Sequence, residues 1–430
     1  MSQSPAPTLA LTRPFGARYA FVVVAVVFTC LLVSAGVRGA PGVLIIPWQN
    51  SFGWSRATVS LAAAIGILLY GLCGPFAAAF IQRFGVRHVT MTAFAVLALS
   101  IFASSFMHAA WQLMLTWGVL SGLATGCVAN VLGAIVATRW FTSQRGLVMG
   151  ILTASTATGT LIFTPVLSTI AVSDGWRPVV LIIAAAAALM IPVIGFLLPE
   201  RPASIGLLPW GAKPGTVPPA PPVTSLFGQA FGGLMLGVKN RTFWLLFASF
   251  YICGFTTNGL VGVHMIALCA DHGIPETRAA GLLAMMGVFD LIGTTMSGWL
   301  TDRFDSRKLL FMYYALRGLA LMYLPYSGFG VYGLAAFGVF FGLDWIATVP
   351  PTVRLATETF GDHRMPIIFG WIVAGHQIGA ASAAFLAGLS RSLEGSYLPA
   401  FLFAGMLGVV AAFLSIFIGN ADRRAAQRLA

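Results

Sequence analysis

Charge is what this sequence is shortest of. Only 8% of its 430 residues are Asp, Glu, Lys or Arg, against about 25% in an ordinary soluble domain. A chain that is also 58% hydrophobic cannot clothe itself in a solvated surface, which excludes a water-soluble globular protein. Acidic residues are scarcest, 12 against 24 Lys and Arg. The formal charge of +12 would fit nucleic acid only if the basic residues formed a patch. They are instead confined largely to short segments between apolar runs, so no nucleic-acid partner is expected. Cysteine is also sparse: Cys30, Cys73, Cys127, Cys253 and Cys269 are scattered without a C-x-x-C pair. They read as small buried hydrophobes, with neither a disulfide nor a metal site expected. The chain has no H-E-x-x-H, G-x-S-x-G, P-loop or dinucleotide signature in a working context. It is therefore read as no enzyme, driven by no ATP and holding no cofactor.

Long apolar runs are abundant. Twelve are found, at 18–46, 56–81, 87–107, 110–138, 145–172, 176–198, 243–268, 277–301, 307–326, 329–357, 364–390 and 396–419. Each can cross a hydrocarbon core of about 30 Å at about 1.5 Å per helical residue. Barrel strands would show alternating segments of about ten residues, so the expected class is an all-α membrane protein. The first run is too long for a signal-peptide core and no small-residue cleavage site interrupts it, so it is expected to remain as the first span.

Most of the basic residues fall on one side if the N-terminus is cytoplasmic. The opposite loops carry only Arg56, Arg177, Arg278 and Arg391. This bias predicts that both termini and the central linker are cytoplasmic; a multi-pass protein of the cell's inner membrane is expected. Arg38, Arg317 and Arg354 lie within apolar runs.

The stretch "LPERPASIGLLPWGAKPGTVPPAPPVTS" reads as a linker that cannot pack a core. "LFGQAFGGLMLGVKNRTF" after it is expected to lie along the membrane surface as a short helix. The expected domains are a six-helix bundle over 1–198, a linker over 199–242, and a second six-helix bundle with a basic tail over 243–430. The two halves align at a constant offset of 220, placing "AAFIQRFGVRH" over "GWLTDRFDSRK" and Arg83 and Arg87 over Arg303 and Arg307. Gly118, Gly122, Gly150 and Gly159 fall on Gly338, Gly342, Gly370 and Gly379. Two pseudo-symmetric bundles related by an axis along the membrane normal follow from such a repeat. Pro350 and Pro351, in "TVPPTV", remove backbone donors from the tenth run, and interrupted helices tend to line cavities.

Twelve spans in two halves, with a basic turn after the second and eighth, resemble the major facilitator superfamily over essentially the full chain. Its loop pattern G-x-x-x-D-R-x-G-x-R is matched by "AAFIQRFGVR" and "GWLTDRFDSR". The first copy has Ala78 and Gln82 in place of the glycine and aspartate, and the second has Asp305 in place of the later glycine. The resemblance implies gating by these loops, carried here by Arg83, Arg87, Asp302, Arg303 and Arg307.

Few strongly polar side chains remain at membrane depth. A charge at a helix centre costs about 2.5–3.5 kcal/mol on insertion scales, so each needs a partner or a wet cavity. Arg38 offers a fork suited to a carboxylate. Asp290 admits two readings: a permanent ion pair with Arg317, or a proton carrier switched by a moving partner. Asp344 begins the turn after "GVFFGL" and is expected to pair structurally with Arg317. Arg354 is expected to snorkel or gate. Tyr70, Asn130, Asn258, His376 and Gln377 are candidates to line a binding site, with inter-helix hydrogen bonding as the alternative. The 220 offset sets Arg38 against Asn258 and Tyr70 against Asp290.

"FGWSRATVS", "RWFTSQRGLVMG" and the "FD" of the eighth run further resemble the branch of monocarboxylate transporters and oxalate–formate antiporters. That resemblance implies anion binding at Arg38 and proton binding at Asp290. Thr294 stands where the branch has an arginine, and His376 stands near the antiporters' lysine. The expected function is proton-coupled transport of a small organic anion such as a monocarboxylate. A proton-driven exporter of lipophilic compounds is the alternative.

Overall fold

The computed structural model describes residues 18–212 and 226–419; the side chain of Asn130 and those of several other positions lie outside the described residues. So do Arg13, Lys213, Arg423, Arg424, Arg428 and the proline-rich part of the linker. The chain is helical almost throughout. Span 1 is Tyr19–Phe52, span 2 Arg56–Phe84, span 3 Val86–Ser104, span 4 Ala110–Trp140, span 5 Arg145–Asp174 and span 6 Trp176–Leu197. A short linker helix, Leu226–Gly237, precedes span 7 (Arg241–Asp271), span 8 (Glu276–Thr301), span 9 (Ser306–Tyr323), span 10 (Val331–Gly361), span 11 (Arg364–Glu394) and span 12 (Leu398–Ile416). Eleven of them, among the described residues, are long and apolar enough to cross a membrane. Span 9 carries Arg307, Lys308 and Arg317 in 18 residues and completes the twelve.

The outer surface of the spans is apolar where that of a soluble protein is polar. Leu99, Phe106, Leu147, Phe196 and Tyr332 are exposed, while Arg317, Asp344, Asp290 and His264 are buried. An apolar exterior, with the few deep charges turned away from it, is what a lipid solvent selects. Span 1 runs on to Phe52, beyond the sequence boundary of 46. It passes through Pro41 and Pro47 and stops at Gly53, whose left-handed backbone (φ 68°) caps it.

Spans 1–6 and 7–12 form two bundles, packed together where span 2 meets span 11, span 5 meets span 8 and span 1 meets the end of span 7. Close approach depends on missing side chains. A Cβ at Gly254, Gly259 or Gly379 would overlap backbone atoms of His376, Ala380 or Tyr251, so spans 7 and 11 touch backbone to backbone.

The internal repeat is visible as two helix breaks. Span 4 is interrupted at Val128 and Ala129, the latter extended at ψ −172°. Span 10 is interrupted between Asp344 and Val349. Val128 falls on Thr348 at the offset of 220.

On the side of the linker, the two halves solve one capping problem differently. In the second, Asp305 accepts from the amide of Arg307 at 2.9 Å to start span 9. In the first, Gly85 occupies the matching position at φ 88°, and Glu200 fills the space a Cβ would need. The Glu200 carboxylate accepts from the amides of Val86 (2.7 Å) and Arg87 (3.1 Å) at the start of span 3. The first part of the linker does pack, contrary to expectation. Trp210 exchanges backbone hydrogen bonds with Trp140 and Thr142, and its ring meets Phe21 edge-on at 5.0 Å.

Candidate functional site

A cavity of about 290 Å³ lies between the two bundles. Spans 1, 2, 4 and 5 wall one side and spans 7, 8, 10 and 11 the other. Arg38, Tyr70, Asn258, Asp290 and Gln377 all line it.

Arg38 lies three residues before Pro41, which withholds an amide from the helix ladder and itself lines the cavity. The guanidinium carbon stands 4.5 Å from the ring centroid of Tyr70. Its Nε is buried with no hydrogen-bond partner among the described residues, and none of the ion pairs found includes it. Arg38 is thus a cation held over an aromatic face with a donor unspent.

Asp290 faces the cavity from span 8 and is 5% exposed. Its Oδ1 accepts from the amide of Ile346 at 2.9 Å and from the Thr294 hydroxyl at 3.1 Å. Oδ2 has no donor among the described residues. The Ile346 amide is available because span 10 breaks there. Pro351 lacks the N–H that would bond the Ala347 carbonyl, and the Ser297 hydroxyl supplies that bond at 2.5 Å. The carbonyls of Asp344 and Trp345 accept from Nη2 of Arg317.

Arg317 therefore serves the break rather than Asp290. Its Nε meets Oδ2 of Asp344 at 2.6 Å and its Nη1 lies 3.0 Å from Sγ of Cys253. The permanent Asp290–Arg317 ion pair considered from sequence is absent.

Trp345, in the break, donates to Oδ1 of Asn258 at 3.3 Å. Asn258 sits in a π-helical stretch, Phe255–Val261, which widens span 7 beside the cavity. Gln377 fits against Gly71 of span 2, where a Cβ would overlap it. His376 is not among the cavity-lining residues. One helical step rotates it about 100° away, to lie 5.1 Å from the Phe250 ring with Nδ1 buried and unpartnered among the described residues. Asn130 begins the helix after the break in span 4.

None of the loop residues lines this cavity. Arg83 covers Phe84, Arg303 covers Trp299 at 4.0 Å, and Arg307 pairs with Asp305 at 3.2 Å. Asp302 and Arg303 line a second cavity of about 190 Å³ with Arg354 and Glu358. Arg354 donates to the Thr301 carbonyl at the end of span 8 and pairs with Glu358 at 3.1 Å.

Sequence reasoning missed the closure on the face opposite the linker. Arg56, at the start of span 2, grips both oxygens of Asp271, at the end of span 7, at 2.6 and 2.9 Å. Arg391 of span 11 reaches the same carboxylate at 2.7 Å. Arg56 also donates to Gln49 and to the Tyr397 hydroxyl, and His264 bridges Tyr397 to the Ala384 carbonyl. Burial pushes the Tyr397 phenol above its ordinary value, with Arg56 pulling the other way. This network joins the two bundles and shuts that face. At the linker face, among the described residues, Arg307–Asp305 and Arg354–Glu358 lie within the second bundle, and the His88 ring lies 3.7 Å from Glu200 within the first. Also missed was a threonine stripe, Thr156, Thr160 and Thr164, on the wall from span 5. Its spacing of four residues was the available signal.

Comparisons with known proteins agree with this architecture. The profile of the Major Facilitator Superfamily matches residues 26–384. The uncharacterized MFS-type transporter YcxA of Bacillus subtilis (strain 168) is 24% identical over 85% of this chain and 88% of its own length. Monocarboxylate transporter 13 of Bos taurus is 28% identical over 89% of this chain and 85% of its own. Among solved structures, a bacterial homolog of the human lysosomal transporter Spinster, in an inward-facing and occupied conformation, superposes with a TM-score of 0.74 at 15% identity, covering 94% of this chain and 97% of that one. The D-xylose-proton symporter gives 0.70 at 14% identity, covering 93% and 98%.

Proposed function

The chain belongs to the major facilitator superfamily, and on that premise we propose that it moves a small organic anion, such as a monocarboxylate, together with a proton. The observation that carries this reading is Arg38: a cavity cation stacked on Tyr70 with an unspent Nε. A substrate carboxylate supplies the missing partner, since a guanidinium fork donates two parallel bonds to its oxygens. Asp290 receives the proton on Oδ2, since its hydrogen bonds run to Oδ1. With the anion on Arg38 and the proton on Asp290, the site is formally neutral. A neutral site can close and reorient through the low-dielectric interior at less cost than a charged one. Tyr70, Asn258 and Gln377 fix the remainder of the solute. The linker face is the cytoplasmic one in this reading, and the protein resides in the cell's inner membrane.

The size of the cavity favours this over export of bulky lipophilic compounds: about 290 Å³ lies at the small end of the roughly 300–1,000 Å³ typical of ligand pockets. The monocarboxylate transporters among its relatives support the same solute class. Uptake into proteoliposomes under an acid gradient tests it. Short carboxylates should accumulate with the gradient, and Arg38→Gln should abolish that accumulation. Transport of hydrophobic cations with no movement of carboxylates would overturn the proposal.

A further inference from the structure

Two of the five thiols are neighbours. Cys73 of span 2 and Cys127 of span 4 lie Sγ to Sγ at 3.6 Å, on adjacent helices 54 positions apart in sequence. Cys73 is buried and Cys127 is partly exposed. Their placement gives the pair leverage. Cys127 is the last helical residue before the break at Val128 and Ala129. Cys73 lies one turn beyond Tyr70, the ring on which Arg38 rests. In the second bundle the matching break in span 10 is fastened by Arg317, Asp290 and Ser297. At the offset of 220, Arg317 corresponds to Leu97, and among the described residues no ion pair fastens the break in span 4.

We propose that Cys73 and Cys127 are a peroxide-sensitive modification site whose disulfide fastens the span 4 break to span 2. The Cys127 thiolate, on the accessible side, attacks one peroxide oxygen. An S–O bond forms, the O–O bond breaks, and the departing hydroxide takes a proton to leave as water. The Cys73 thiolate then attacks the sulfenic sulfur, forming the S–S bond and breaking the S–O bond, and the departing hydroxide takes the proton that Cys73 gave up and leaves as a second water. Two thiols and one hydrogen peroxide give one disulfide and two waters, the sulfurs oxidised and the peroxide oxygens reduced. A disulfide holds its sulfurs at about 2.05 Å, so the pair must draw together. The link then ties the end of the helix before the break to the helix that carries Tyr70. The consequence for transport rests on the function proposed above; the covalent link does not.

Full-length protein treated with hydrogen peroxide, alkylated and digested should yield a peptide pair linked through Cys73 and Cys127. That pair should be lighter by two hydrogens than the reduced peptides, and dithiothreitol should release it. Cys127→Ser should leave Cys73 reduced. Alkylation of both thiols after peroxide, or sulfinic acid at Cys127 with no link, would overturn the site. In proteoliposomes the linked protein should lose uptake severalfold and regain it with dithiothreitol, while Cys73→Ala should ignore peroxide. Full turnover by the linked protein would overturn the fastening role. Because the mass measurement needs no solute, failure of the transport reading would leave it intact.

Discussion

Arg317 pairs with Asp344, Nε to Oδ2 at 2.6 Å, and leaves Asp290 with no cation partner among the described residues. Its second amino group is also spent, on the carbonyls that the break in span 10 sets free. Of the two deep carboxylates, one fastens a helix and the other faces the cavity.

Asp290→Asn separates these duties. Asparagine keeps the shape and can still accept from Ile346 and Thr294, but cannot take up a proton. Accumulation against a gradient should fall by about tenfold or more, equivalent to losing roughly 1.4 kcal/mol or more of coupling, while solute exchange across the membrane at equal pH persists. Uptake by the variant that still follows the acid gradient would remove Asp290 from the coupling role.

Asp344→Asn should act on stability instead. It leaves a guanidinium whose side chain is fully buried with no opposing charge, and removing one partner of a buried pair costs about 3–5 kcal/mol. Thermal unfolding in detergent should show a large drop. Replacing both partners, Arg317→Met with Asp344→Leu, should recover part of it. The recovery would be incomplete, because the Asp344 and Trp345 carbonyls lose their donor.

How much of this was legible in sequence follows from what lipid penalises. Helices crossing hydrocarbon need long apolar runs, so the twelve spans stand out, and a deep charge is rare enough that Arg38 and Asp290 mark themselves. The rotation of a helix is another matter. His376 and Gln377 are adjacent in sequence, yet only Gln377 lines the cavity, because neighbouring positions differ by about 100° around the axis. Arg56, Asp271 and Arg391 escaped notice for the opposite reason: charges at span ends are cheap, and a gate there looks like any loop. The threonines of span 5 gave only their spacing of four residues as a signal. Thr156 and Thr160 satisfy their hydroxyls on carbonyls of their own helix, so they need no partner to be tolerated in lipid.

Arg38 and Tyr70 should contribute unequally. Arg38→Lys keeps the charge but loses the planar fork, so a residual, weaker transport should remain where Arg38→Gln shows none. Tyr70→Leu removes a cation–π contact worth about 0.5–2 kcal/mol. That should raise the half-saturating solute concentration by roughly two- to thirtyfold, with less effect on the maximal rate. Concentration-dependent uptake measured for the three variants would distinguish these outcomes. An unchanged Tyr70→Leu would mean that the ring does not position the guanidinium.

The gate opposite the linker provides the sharpest conformational test. Asp271 is the one carboxylate that Arg56 and Arg391 share, and it joins two spans of the second bundle to the first. Asp271→Asn leaves two cations facing one another across the closure, where each had a common counter-charge. Like charges brought close in a partly buried setting repel, so the closed arrangement seen here should lose population to one open on this face. Spin labels placed near Gly53 and near Gly273, at the two ends that the gate draws together, should report a longer mean distance in the variant. Net uptake should fall, because a carrier that cannot shut one face cannot alternate. Lysine at position 271 should open the face further still, and glutamate should close it again. A distance distribution identical across the series would show that packing between spans 1 and 7, where Gly42 lies against the backbone of Gly262 and Val263, closes this face without help from the ion pairs.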